Sequence, residues 1–167
     1  MHKELNRQGF YYGFPVLLAT TKDKNANDDI TVLSSSWTLG NTVVLGIGIE
    51  NQGFKNIKNG SDITLNLCDE SLLEAVQKME KLTGDSEVPE EKKNLGYTYE
   101  HDKFKVANLS KEPGINAKTV RIKECKIQIE TVVEKIDTQK WHPLIYKFKE
   151  YVGTCERLGL NFGFKEI

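Results

Sequence analysis

The sequence predicts a mainly β domain, an antiparallel barrel or sandwich with flanking helices, and three observations carry that prediction. Apolar, β-branched runs recur between residues 14 and 67, separated by short turns rich in Asn, Asp and Gly. A further run over residues 120–133 alternates well from Cys125 through Ile127 and Ile129, the period of a strand with one face inside. Between these regions the apolar spacing becomes helical, at Leu72, Leu73, Val76, Met79 and Leu82.

Residues 14–21 form the first strand, and the polar turn 22–29 reverses it, because Asn and Asp side chains stabilise tight backbone reversals. The second strand is expected over residues 30–37 and ends in Ser34, Ser35, Ser36 and Trp37, a polar set against which a ligand would lie. After a turn at residues 39–41, residues 42–49 are apolar enough for burial on both faces. A short helix over 53–58 stops at Asn59 and Gly60, where glycine accepts left-handed backbone, and leads into a strand at 63–67. Ser71 and Glu74 have the spacing of a capping box opening a helix to about Leu82.

Residues 83–117 read as a long excursion rich in Gly, Pro and charge, with a helical turn at 89–94. The strand over 120–133 then closes the barrel and has no evident neighbour, which favours pairing with another chain. Asp137 or Thr138 is expected to cap a C-terminal segment carrying Trp141, Leu144, Ile145, Tyr146, Phe148 and Tyr151. Neither a repeat nor a composition break divides the chain, so residues 1–167 read as a single domain.

Composition narrows the function. A formal net charge of −1 supplies no long-range field for nucleic acid or an anionic membrane, so neither is expected as a partner. The lysines at 55–58, 90–93 and 147–149 are interleaved with acidic or apolar residues and read as solvated faces. No apolar run approaches the roughly 20 residues that span a bilayer, and no signal-peptide core follows Met1, so a cytoplasmic protein is expected. Cys68, Cys125 and Cys155 are odd in number and lack CxxC spacing, which reads as free thiols, and His2, His101 and His142 are scattered, so no metal is expected.

Conventional catalytic motifs are missing from the sequence, and Gly46-Ile-Gly48 lies inside a strand where it cannot open a helix. The ordered series Pro15-Val-Leu-Leu18 with Thr20-Thr21, Ser36-Trp37, Val44-Leu-Gly46, Asn56-Ile57 and Asn66-Leu67 resembles the flavin reductase family of FMN-binding split barrels, flavoredoxin-like branch. The resemblance continues through Leu82-Thr-Gly-Asp85, Val88-Pro89, Asp102-Lys-Phe104 and Trp141-His-Pro-Leu-Ile-Tyr146, so it covers nearly the whole chain.

The resemblance implies an antiparallel split β-barrel, FMN as cofactor and a homodimer. It implies either NAD(P)H-dependent flavin reduction or electron relay to a redox partner protein. Flavin chemistry needs few reactive side chains, because the cofactor carries the electrons. Carried over to this chain, Thr20 and Thr21 with Ser34, Ser35, Ser36 and Trp37 meet the isoalloxazine and ribityl chain. The phosphate falls to Asn51, Gln52, Gly53, Lys55 and Asn56, where a strand gives way to a helix. Cys68, just after Asn66-Leu67, is counted among the cofactor contacts but without a redox role, since no neighbouring sequence feature lowers its thiol pKa.

Two departures accompany the resemblance. Gly53 stands where the family usually carries a small hydroxyl residue, so Gly53→Thr is expected to tighten FMN, and the chain is apparently short of one strand after residue 133. The alternative consistent with both is a non-catalytic flavin or small-ligand binding module with a degenerate pocket.

Overall fold

The computed structural model describes residues 14–138 and 150–162. The chain opens with β1 (Leu17–Lys22), β2 (Asp28–Leu33), β3 (Ser36–Leu39) and β4 (Thr42–Gly48), followed by α1 (Gln52–Lys58) and β5 (Ile63–Leu67). A 3-10 turn at Glu70–Leu72 leads into α2 (Leu73–Met79). Short elements follow: β6 (Leu82–Thr83), α3 (Glu90–Asn94), β7 (Thr98–Tyr99), α4 (Lys103–Ala107), β8 (Lys111–Glu112) and β9 (Arg121–Ile122). Two long strands, β10 (Ile127–Thr138) and β11 (Glu150–Phe162), complete it.

Seven strands join in the order β2-β1-β5-β10-β11-β4-β3, every pair antiparallel. The two edge strands are neighbours in sequence. In a flat sheet of seven they would stand roughly 29 Å apart at ~4.8 Å per step. Only Ser34 and Ser35 separate them, however, and that link reaches at most about 11 Å. The sheet therefore rolls into a barrel left open along one seam, with Ser34 and Ser35 crossing it.

One apolar cluster fills the barrel, from Leu17, Ala19, Leu33, Val43, Leu45, Ile47, Ile63, Leu65 and Ile129, with Phe54 and Ile57 of α1 inserted among them. A second lies outside it, where Leu18 and Ile30 meet Leu72, Ala75 and Met79 around α2 and Phe104 and Ala107 of α4. β1 is thus buried on both faces, whereas β4 alternates, its Val43, Leu45 and Ile47 inside and the residues between them half-exposed. The two-faced burial expected of residues 42–49 belongs to β1, because the helical layer covers that side of the sheet and leaves β4 uncovered.

Other local expectations are corrected by hydrogen bonding. The strand expected over 30–37 breaks at Ser34 and Ser35 into β2 and β3. Asp69, not Ser71, caps the turn before α2, accepting from Ser71 N–H, while Glu74 pairs with Lys78 one turn on. Leu73 faces solvent and Ala75 takes its place in the core, so the helical stripe is rotated from the expected one.

The strand expected over 120–133 is interrupted at Cys125, and β10 is flanked by β5 and β11, so the open edge inferred from the sequence is filled within the chain. Asp137 and Thr138 extend β10 rather than cap a helix. Trp141, Leu144, Ile145, Tyr146 and Phe148 lie outside the described residues. Among the described residues, no helix is long and apolar enough to cross a membrane.

Candidate functional site

The seam concentrates exposed polar and aromatic groups. Ser34 and Ser35 are exposed where they cross it, Ser36 is half-buried, and Trp37 is 56% exposed on the edge strand β3. Ser35 C=O accepts from Gly46 N–H at 2.7 Å, which ties the crossing to β4. A Cβ on Gly46 would stand 2.9 Å from Ser35 Cβ, so only glycine allows this approach. Gly48, two residues on, lies on the same face, and its added Cβ would be 3.4 Å from Asn51 Nδ2. Because Val43, Leu45 and Ile47 point into the barrel, β4 puts no side chain of its own on the outer face at Gly46 and Gly48, where Ser35 and Asn51 pack instead. Trp37, opposite Val44, stands on that same outer face.

At the far end of this face α1 begins. Asn51 occupies the N-cap position with extended backbone but makes no side-chain cap, and no acidic residue sits in the first turn. Its Oδ1 instead accepts from Lys92 Nζ at 2.8 Å, and Glu50 C=O accepts from the same ammonium at 2.8 Å. Lys92 rises from α3 and lies 5.4 Å from the centre of the Tyr97 ring. Burial lowers its pKa and the Lys103 ammonium adds to that, so this cation is held in partly dehydrated surroundings at a helix N-terminus. Behind it a cavity of about 70 Å³ is lined by Thr31, Gln52, Thr83, Lys92, Tyr97 and Lys103 among others.

No family model matches the chain. An uncharacterised protein of Bacillus subtilis, YdfE, is 30% identical over an alignment covering 96% of this chain and 93% of that protein. The chain belongs to one family with YdfE. Among solved structures, flavoredoxin of Desulfovibrio vulgaris (Miyazaki F) superposes with a TM-score of 0.73 at 13% identity, covering 97% of this chain and 76% of that one. Nitrilotriacetate monooxygenase component B from Bacillus cereus gives 0.70 at 12%, covering 92% and 71%. Flavoredoxin from Methanosarcina acetivorans gives 0.69 at 14%, covering 96% and 75%. The fold is the flavin reductase split barrel.

Within this split barrel the residues singled out from the sequence divide into two groups. Ser34, Ser35, Ser36, Trp37, Asn51 and Gln52 come together along the seam and the start of α1. Thr20 and Thr21 do not reach it, because both are fully buried: Thr20 donates to Thr64 C=O and Val120 C=O, and Thr21 accepts from Asn56 Nδ2 at 2.9 Å. Asn56, 1% exposed, also accepts from Gln52 Nε2 at 2.6 Å and serves as a strut holding α1 to β1. Lys55 is neutralised by an ion pair with Asp85.

Cys68 packs against the outer cluster, on the helical side of the sheet. Gly53 is a wedge rather than a vacancy for a hydroxyl: an added Cβ would lie 2.3 Å from Thr31 Oγ1 of β2 and 3.4 Å from Ile47 Cδ1 of β4. The gain expected from Gly53→Thr is therefore overturned by lack of space. Lys92 was missed because the sequence of α3 resembles a solvated charge run, and nothing local says that one of its lysines reaches back 41 residues to Asn51.

Proposed function

We propose that the chain is a flavoprotein that binds FMN along the seam, and that it transfers electrons between NAD(P)H and flavin or relays them to a redox partner in the manner of a flavoredoxin. The observation that carries this reading is the pair Gly46 and Gly48, which keeps side chains of β4 off its outer face, flanked by exposed Ser34, Ser35 and Trp37 and ending at a helix start without a side-chain cap beside Lys92. A flat aromatic ring system needs a surface without side chains, and a phosphate needs amide donors with a positive charge, so the donor set fits FMN.

In this reading Ser34, Ser35 and Ser36 offer hydroxyl and backbone groups to the ring edge and ribityl chain, and Trp37 supplies an apolar wall. The first-turn amides of α1 and Lys92 hold the phosphate, and Asn51 orients the Lys92 ammonium through its Oδ1. Bound flavin would supply the two-electron chemistry, so this reading needs no nucleophile and base at the seam.

We further propose a homodimer formed on the β3 side of the barrel. The exposed Trp37 and Leu39, the latter 72% exposed, lie on β3, which among the described residues is an edge strand with one ladder of hydrogen-bonding groups open. This replaces the unpaired β10 that the sequence suggested as the dimerisation edge.

The test is direct titration. Purified protein with added FMN should quench flavin fluorescence at a defined stoichiometry and show the visible bands of bound oxidised flavin, and riboflavin, which lacks the phosphate, should bind at least tenfold more weakly. A protein that neither binds FMN nor gains thermal stability from it refutes the cofactor, and equal affinities for FMN and riboflavin refute the phosphate placement at α1.

A further inference from the structure

Cys68 and Cys125 are 57 positions apart in sequence, and the sheet brings them together. In the β5–β10 ladder Leu67 is opposite Ile127, so Cys68 continues β5 opposite Lys126 and beside Cys125 in the turn that precedes β10. The Asp69–Lys126 ion pair at 2.7 Å fixes the same register from outside. Cys125 belongs to the outer core, and Cys68 packs against that same cluster with its own side half-exposed. A solvent-reachable sulfur thus lies against a buried one, the arrangement of an attacking and a resolving thiol.

We propose that Cys68 and Cys125 are a redox pair that closes into a reversible disulfide clamping the base of the excursion between β5 and β10. Neighbouring positions across an antiparallel ladder are about 4.5–6 Å apart at Cα, within the separation a disulfide spans, and both side chains turn into one cluster. The oxidant class is a small-molecule disulfide. The Cys68 thiolate attacks one of its sulfurs, a mixed disulfide forms and one small thiolate leaves. Cys125 then loses its proton, attacks the Cys68 sulfur and expels the second thiolate. Two electrons pass from the protein sulfurs to the small disulfide, and the two protons end on the two small thiols.

The surroundings assign the roles of the two cysteines. The Cys125 hydrogen bond lowers the Cys68 thiol pKa, against burial and the Asp69 carboxylate, which both raise it. Cys125 is raised by that same hydrogen bond, by burial and by the charges of Cys68, Glu124 and Asp69, which suits the thiol that waits. The segment so clamped carries α2, α3 and α4 and with them Lys92 and Lys103. Closing it ties both ends of that layer to the sheet, which the ion pair at Asp69 does only electrostatically. The sequence reading of Cys68 as an inert thiol lacked this partner.

The experiment uses the full chain, reduced, freed of reductant and titrated with glutathione disulfide, then quenched with acid and alkylated under denaturing conditions at neutral pH with an excess of maleimide. We expect a product alkylated once, at Cys155, and lighter by two hydrogens than a reduced chain carrying that one label, a peptide map joining Cys68 to Cys125, reversal by dithiothreitol and a rise in Tm of about 5–15 °C for the oxidised form. In Cys125→Ser the reaction should stop at one glutathione on Cys68. The proposal is overturned if both cysteines stay fully alkylatable at a hundredfold excess of oxidant, if the cross-link involves Cys155, or if the cross-link forms without raising Tm. The peptide map of the parent decides the matter even should Cys125→Ser fail to fold.

Discussion

Replacing Glu130 by glutamine tests how the loop before β9 is held to the barrel. Glu130 sits in β10 at 2% exposure, and its carboxylate is met by three backbone amides: Ile115 N–H donates to Oε1 at 2.7 Å, and Asn116 and Ala117 N–H donate to Oε2 at 2.6 and 2.9 Å. Arg121 Nε lies 3.7 Å away. Burial pushes the Glu130 carboxyl up, but the three amides and the Arg121 charge outweigh it, so its pKa is lowered.

Hydrogen bonds to a charged acceptor contribute about 1.5–3 kcal/mol each. Glutamine keeps one oxygen, turns an NH₂ toward at least one amide donor and leaves Arg121 without its partner. The expected loss is therefore about 3–5 kcal/mol at pH 7, the range for breaking a buried charged contact. For a chain of this size that corresponds to a fall in Tm of roughly 6–20 °C.

The pH dependence follows from the sign of the shift. A carboxyl whose folded pKa lies below its unfolded value stabilises fully above the unfolded value, near 4.3, and the contribution is lost as pH falls through the folded pKa. The gap between parent and Glu130→Gln should thus be largest at neutral pH and shrink progressively below pH 4. Urea unfolding at a series of pH values, with equal m-values for the two proteins, measures it. A gap under 1 kcal/mol at pH 7, or one that stays constant down to pH 3, would refute the amide cradle as the source of stability.

Gly53→Ala should destabilise by about 1–3 kcal/mol despite alanine's better helix propensity, because its Cβ meets Thr31 Oγ1, and adding Thr31→Ala should recover most of that loss in denaturant unfolding. Lys92→Ala should weaken FMN by at least tenfold in a fluorescence titration while leaving riboflavin nearly unchanged; an equal loss for both ligands would move Lys92 from phosphate binding to a packing role. Lys103 Nζ lies 2.8 Å from Asp29 Oδ1, yet neither carboxylate oxygen accepts a well-aligned hydrogen bond, so the ammonium is what offsets a buried charge. Lys103→Met should cost about 3–5 kcal/mol and the double variant with Asp29→Asn less than that, since a neutral amide needs no counter-ion; simply additive costs would contradict this.

Hydrophobic period made the barrel legible in the sequence, and long-range contacts hid the parts that were misread. Apolar, β-branched runs bounded by turn residues located the opening strands and β5, and the Asn59-Gly60 stop was correct because Gly60 has a φ of +90°. Burial on both faces cannot be read from one strand, since it depends on which side the helices cover; β1 and β4 have similar composition and opposite surroundings. The Ser34–Trp37 set stood out as a polar stretch after an apolar run but was placed inside a strand, because nothing local reveals that the barrel opens between β2 and β3. Thr20, Thr21 and Asn56 were read as ligand contacts because polar residues within apolar runs mark either a site or a buried network. Asn56 reaches back 35 residues to Thr21, so here they form the network. The same physics separates Lys55 from Lys92: Asp85 pairs directly with the first, while the second hydrogen-bonds to neutral oxygens of Asn51 and Glu50 C=O and feels the Asp85 and Glu50 carboxylates at longer range. A cation whose contacts are neutral oxygens keeps its charge available to an anion. That is why the site should be sought at Lys92, on an excursion whose sequence reads as filler, rather than at the helix lysine that local motif reasoning favours.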